Sequence, residues 1–265
     1  MYRSIIKYIF FKLCIITPFA VNAAIEEIIV TAEKRESNLQ DVAGSVTALD
    51  SSAIIDNGIV DISGLENAVP GLRIGISGGE ARPAMRGMRT NDVGVAGTGI
   101  AEQMVGIFQD GIYVPTTTAA MSSYVDVERI EVLRGPQGTL YGRNTFAGSI
   151  NVISKSPSFD RTEGSFGVHT GDYNRQGYEG VINIPISDSI STRFAVAADS
   201  HDGIIINHNV AGPSDDLREK DSFYARSTTV FDISPALSGT FRMDYFNKEA
   251  NTEAIWGYQQ IAGYQ

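Results

Sequence analysis

The chain has 265 residues, 43% of them hydrophobic and 20% charged, which excludes a disordered polypeptide and leaves room for a core and a second unit. Its net charge of -10, with no stripe of Lys and Arg able to displace phosphate counterions, excludes a nucleic-acid partner. The single cysteine, Cys14, lies in an apolar N-terminal stretch; once that stretch is removed, disulfides, thiolate chemistry and Cys-based metal sites are excluded too.

Residues 1–24 carry Arg3 and Lys7, an apolar run from Tyr8 to Val21 and then small residues, the layout of a secretory signal peptide cleaved after Ala23 or Ala24. Lys12 and Pro18 interrupt the run, so it is too short for a membrane-spanning helix. Residues 25–38 follow as a separate segment. There Glu26-Glu27-Ile28-Ile29-Val30-Thr31-Ala32 sets β-branched residues between charged ones, a segment suited to adding itself as a strand to a partner's sheet edge.

From residue 39 the pattern is that of a folded domain. Asp50-Ser51-Ser52 reads as a helix start, and a second short helix spans Asp61 to Asn67, stopped by Pro70-Gly71. Leu72, Ile74 and Ile76 alternate as a strand. Gly75-Ile76-Ser77-Gly78-Gly79 is a literal G-x-S-x-G, but a nucleophile elbow needs a helix after the serine, and glycines, Arg82 and Pro83 follow instead. His169, His201 and His208 also lack a partner context, so the match reads as a chance one in a loop. Gly78 to Ala101 reads as loop-rich, without the glycine spacing that cradles phosphate. Val105 to Phe108, Gln109-Asp110-Gly111 and Ile112 to Val114 predict a hairpin. Ile130 to Leu133 and Ile150 to Ser154 predict two more strands around a glycine-dense segment where backbones approach closely.

Within that segment, Arg134-Gly135-Pro136-Gln137-Gly138-Thr139-Leu140-Tyr141-Gly142, followed by Gly148-Ser149-Ile150-Asn151, resembles the closing part of a TonB-dependent receptor plug. Val69-Pro70-Gly71-Leu72 fits the same family. The resemblance implies an α+β plug domain over residues 39–160, a small mixed sheet with short helices. It makes the run from Glu26 through Glu27, Ile28, Ile29, Val30 and Thr31 to Ala32 similar to a TonB box, the segment gripped by the periplasmic domain of TonB with its inner-membrane motor partners. It further implies that Arg86, Arg134 and Arg143 meet acidic groups of a surrounding barrel. Two loop regions, 78–103 and 115–123, would face a ligand from outside, with Arg82, Arg89, Thr116, Thr117 and Ser122 as candidate contacts.

From Gly164 onward, segments of about ten residues alternate apolar and polar, the expectation for tilted strands of an antiparallel transmembrane β-barrel surrounded by outer-membrane lipid. Phe166 and Val168 oppose Ser165, Gly167 and His169; Ile182, Ile184 and Ile186 oppose Val181 and Asn183; Phe194, Val196 and Ala198 oppose Arg193 and Asp199; Phe241, Met243 and Tyr245 oppose Thr240, Arg242 and Asp244. Ser187-Asp188-Ser189 and Ser234-Pro235-Ala236 are tight turns expected on the periplasmic side, while His201 to Asp221 is a long polar loop expected outside. The histidines lack ligand spacing and read as lumen or loop residues, so no metal site and no cofactor are expected. Residues 161–265 supply about five strands of a barrel that in this family has about 22, so the chain reads as the N-terminal portion of a longer receptor or as a truncated reading frame.

The resemblance thus implies a TonB-dependent transporter in the outer membrane for a small nutrient, a ferric siderophore first, with saccharide, cobalamin or haem as alternatives. A secreted soluble binding or adhesion module is the alternative from another class, since a β-sandwich gives similar alternation.

Overall fold

The computed structural model describes residues 29–31, 34–35, 37–42, 44–77, 80–89, 103–115, 123–203, 219–234 and 236–250. Strands β1 (Ile29–Val30) and β2 (Ser37–Asn38) form a short antiparallel pair. The next elements are β3 (Ser45–Asp50), α1 (Ser51–Asp56), a 3-10 turn at Ile62–Gly64 and α2 (Leu65–Ala68). Both helical starts are capped by the aspartates that precede them: Asp50 accepts from Ala53 N at 2.7 Å and Asp61 from Ser63 N at 2.9 Å.

A small sheet follows, built from β4 (Leu72–Ser77), β5 (Glu80–Met85) and β6 (Met88–Arg89). β4 pairs antiparallel with β5, Ser77 opposite Glu80, so the G-x-S-x-G serine ends one arm of a hairpin and opens no helix. β5 and β6 thus lie within the stretch that reads as loop-rich. β6 reaches only Ala84 and Met85, which leaves Pro83 on an open edge where its missing N–H is tolerated.

The principal sheet has the order β3-β9-β10-β7-β8, with β7 (Val105–Gln109), β8 (Ile112–Tyr113), β9 (Val127–Arg134) and β10 (Gly148–Ser154). β9 runs antiparallel to β3 and β10, and β10 parallel to β7, so the sheet is mixed. The β7–β8 turn is Asp110-Gly111, at φ 50° and 81°, the pair of positive dihedrals that a two-residue hairpin of the right twist requires. Period-two alternation puts Ile130, Val132, Ile150, Val152, Val105 and Ile107 on one face, packed with Ile54, Ile62, Leu65, Leu72 and Met85 in the core. Gly148 makes that packing possible, because a Cβ there would stand 2.3 Å from the Leu133 carbonyl oxygen and 2.4 Å from Met85 Sδ. A short helix, α3 (Gly138–Tyr141), bridges β9 and β10.

The rest is an antiparallel meander, β11 (Glu163–Gly171), β12 (Arg175–Ser187), β13 (Ile190–His201), β14 (Lys220–Ser234) and β15 (Leu237–Ala250), paired in sequence order. Register aligns His169, Gly177, Asp199, Ser222 and Lys248 in one row and Glu163, Asn183, Arg193, Thr228 and Arg242 in another, all on one face. The opposite face carries exposed Phe166, Val168, Ile182, Phe194, Val196, Phe223, Phe241, Met243 and Tyr245. An apolar band this broad on an unpartnered face is what lipid contact selects and water does not. Val125 of the N-terminal unit packs against Ala195 and Tyr224, so that unit sits on the polar-lined face of the strand wall.

Candidate functional site

Two places concentrate polar chemistry. The first is the seam between the N-terminal unit and the wall. Arg193 donates from Nε to Asp126 Oδ2 and from Nη2 to Asp126 Oδ1, both at 2.7 Å. Asp126 stands directly before β9 at φ 55°, and its carbonyl accepts from Lys155 N at 3.0 Å, so the chain on both sides of the central strands presents this carboxylate to the wall. At the β7–β8 turn, Asp110 accepts from Ser154 N and Oγ, each at 2.8 Å, and pairs with Arg242 Nη1 at 2.7 Å. Arg226 donates to Ser154 Oγ and, from Nε, to Asp244 Oδ1 at 2.7 Å. Lys220 Nζ, at the start of β14, lies 3.0 Å from Asp199 Oδ2 and 3.7 Å from Asp61 Oδ2.

In the ion pairs that cross this seam, Asp126–Arg193, Asp110–Arg242 and Asp61–Lys220, the carboxylate belongs to the N-terminal unit and the cation to the wall, while Asp199 and Asp244 pair with cations of the wall itself. Bidentate guanidinium pairs hold geometry firmly, yet they exchange partners without breaking a covalent bond. A cavity of about 280 Å³ opens beside them, lined by Ile54, Ile59, Asp61, Tyr124, His169 and Lys220 among others. Burial pushes the Tyr124 phenol well up, with the Asp61 carboxylate adding to it, so the hydroxyl stays protonated.

The second place is the other face of the principal sheet. Glu131 Oε1 accepts from Thr31 N at 2.7 Å and from Arg129 Nε at 2.9 Å. Val30 is buried against Leu133 and Tyr141, and the Lys34 ammonium lies 5.4 Å from the Tyr141 ring centroid. Burial raises the Tyr141 phenol as well, opposed by the hydrogen bond from Asn151.

Of the residues singled out in the sequence, Val30 and Thr31 are thus seated on β9, while Ile29 pairs with Asn38 and is exposed; Glu26, Glu27, Ile28 and Ala32 lie outside the described residues. Arg134, at the end of β9 remote from Asp126, donates from Nη1 to Pro70 O at 3.2 Å. Arg86 sits in the β5–β6 turn at φ 52°, its Nη1 3.4 Å from where a Cβ on Gly135 would be. Arg143 lies in the turn after α3, Arg82 in β5 opposite Gly75, and Arg89 in β6 opposite Ala84. Thr116, Thr117 and Ser122 lie outside the described residues. His169 Nε2 is 3.2 Å from Asp199 Oδ1, and His201 Nδ1 is 2.9 Å from the Asp202 carbonyl.

The sequence reading missed Asp61, Asp110, Asp126 and Glu131. Asp110 was legible only as a turn residue, and Asp126 carried no signal. Glu131 did carry one: it is a charge in the middle of Ile130 to Leu133, where strand residues are expected to be apolar.

A small α+β domain clamped by ion pairs to the polar face of an antiparallel, apolar-backed strand wall defines the class of plugged outer-membrane β-barrel receptors. Comparison with known proteins agrees. Residues 38–149 match the TonB-dependent Receptor Plug Domain. The pesticin receptor of Yersinia pestis is 30% identical over 200 residues, covering 72% of this chain and 27% of that protein. A vitamin B12 transporter of Vibrio vulnificus is 30% identical over 148 residues, covering 53% of this chain and 22% of the transporter. Among solved structures, the ferric yersiniabactin uptake receptor of Yersinia pestis superposes with a TM-score of 0.68 at 24% identity, over 77% of this chain and 32% of that one. The chain spans about a quarter of the length of the curated relatives it matches. It belongs to the TonB-dependent receptors, a family of outer-membrane receptors and not of enzymes.

Proposed function

We propose that residues 39–160 are the plug, residues 161–265 the first wall strands, and residues 25–38, behind a signal peptide at 1–24, the TonB-recognition segment of an active outer-membrane transporter. The observation that carries this reading is the seam itself. Carboxylates on the plug meet cations on the wall through contacts that can be exchanged without covalent change, as a gate moved by force needs. Ligand bound at the outer loops, with Arg82, Arg89, Thr116, Thr117 and Ser122 among the plug's contributions, raises the chance that TonB takes hold of Glu26 to Ala32. Force through TonB then remodels the plug and opens a path. Arg86, Arg134 and Arg143 remain candidates for further plug-to-barrel pairs.

A ferric siderophore is the favoured cargo, because similar proteins are named for siderophore uptake; the vitamin B12 transporter among them keeps cobalamin as the second reading. In the receptor carrying this chain, Ile28→Pro removes a backbone donor from the recognition segment and is expected to abolish iron-chelate uptake while leaving ligand binding at the wild-type level. Uptake at the wild-type rate overturns the assignment of the segment.

A further inference from the structure

β10 ends at Ser154 and β11 begins at Glu163, so residues 155–162 join the N-terminal unit to the wall outside any helix or strand. Without a ladder, the backbone donors and acceptors of this segment need other partners. Asn183, fully buried on β12, serves three of them. Its Oδ1 accepts from Ser158 N at 2.9 Å, and its Nδ2 donates to Ser158 O at 2.9 Å and to Arg161 O at 3.0 Å. Ser191 on β13, also fully buried, donates from Oγ to the same Ser158 carbonyl at 2.6 Å. An asparagine amide carries a donor and an acceptor side by side, as a peptide does, so it pairs with the N–H and C=O of one residue at once. Leucine, of similar size, offers neither, and an ionised aspartate offers no donor.

The neighbouring position of the wall grips the N-terminal unit itself. Asn183 is in register with Arg193, whose guanidinium holds Asp126, and the Asp126 carbonyl takes the Lys155 N–H at 3.0 Å. The segment is thus tied twice, at Lys155 through Asp126 and at Ser158 and Arg161 through Asn183. Between the ties stands Pro157, buried, its φ fixed by its ring. Untied, a joint of these eight residues would reach up to about 27 Å. Strapped, it has no slack.

We propose that Asn183 is a positioning residue of the gate: by strapping the joining segment to the wall it fixes where the plug sits and keeps the resting receptor sealed. The proposal rests on the reading of residues 39–160 as the plug. A joint free to swing lets the plug tilt as a body, and the two bonds between Arg193 and Asp126 then have to hold it alone. With Ser158 and Arg161 held, Asp126 and Lys155 stay opposite Arg193 and the exchangeable charge pairs of the seam re-form in the same place.

The test uses the receptor carrying this chain, in detergent micelles and in planar lipid bilayers, and compares wild type with Asn183→Leu. Hydrogen exchange at the Ser158 amide and tryptic cleavage after Arg161 report the strap; potassium chloride conductance with no TonB present reports the seal. In the variant, exchange at Ser158 is expected to quicken roughly ten- to a hundredfold, the effect of losing the bonds that close the segment, with protection at Val132 and Val196 kept. Conductance is expected to rise severalfold. Unchanged exchange at Ser158 overturns the strap, and quickened exchange with wild-type conductance overturns its part in the seal. A receptor lacking residues 39–160 is the control: if it conducts no more than wild type, the plug reading falls, while quickened exchange at Ser158 still upholds the strap. If Asn183→Leu loses protection at Val132 or Val196, Ser191→Ala, which deletes only the second donor to Ser158 O, decides the matter. Faster cleavage after Arg161 with raised conductance supports the proposal, and wild-type conductance overturns it.

Discussion

Arg193 on β13 and Asp126 at the head of β9 are joined by two hydrogen bonds of 2.7 Å, their side chains only 12% and 5% exposed. In such a buried pair each partner exists to satisfy the other. Removing one leaves an uncompensated charge, a loss of roughly 3–5 kcal/mol. Arg193→Ala is therefore expected to loosen the plug, read as a lower denaturant midpoint in micelles and faster exchange in β9. The double variant Arg193→Ala, Asp126→Ala should be less destabilised than the sum of the two single changes, since neither charge is then left alone.

Asp110 has two jobs that substitution can separate. It holds a positive-φ turn position, and it satisfies Ser154 and Arg242. Asp110→Gly keeps the turn and deletes the acceptor, with an expected loss of roughly 1–3 kcal/mol concentrated at the plug-to-wall seam. Asp110→Asn retains an acceptor and tolerates the same backbone, so it should cost less. Exchange at the Ser154 amide, which donates to Asp110, is the direct readout.

Gly148→Ala places a methyl group 2.3 Å from the Leu133 carbonyl oxygen. Met85 can swing aside, but a backbone carbonyl inside a paired sheet cannot. Overpacking of this kind costs roughly 1–3 kcal/mol, and the denaturant midpoint should fall with little change in slope.

Asp50 caps α1 through its bond to Ala53 N, and that bond, with a second from Ser52, holds its carboxyl below the usual carboxylate range. A carboxyl whose pKa is lowered by folding contributes stability above its unfolded pKa, about 3.9, and loses it as pH falls through the folded value. The residue is only half-buried, at the surface, so the contribution is small and screened. Asp50→Asn keeps a capping acceptor and should flatten this acid-side dependence, measured as the denaturant midpoint from neutral pH to below 4. Asp50→Ala removes the cap at every pH, a loss of about 1 kcal/mol.

Much of the fold was legible before any coordinates, because it is written in local, periodic signals. Asp50 and Asp61 marked the helix starts, Asp110-Gly111 marked the hairpin, and the alternation from Gly164 assigned the faces of β11, β12, β13 and β15. The strand at Glu80–Met85 was not legible, since Pro83 masks a strand that tolerates it only at an open edge. Glu131 carried a signal without a meaning, as a lone charge in an apolar run does not say which residue will meet it.

The sequence alone therefore determined the elements, the inward and outward faces of the wall, and the family resemblance, all of which depend on residues near one another in the chain. Which charges meet was decided only by tertiary structure. The partners Thr31 and Glu131 are 100 residues apart, and Arg193 and Asp126 67 residues apart. A side chain's own periodicity fixes the direction in which it points; what stands there depends on how separate elements dock, and no local pattern encodes that.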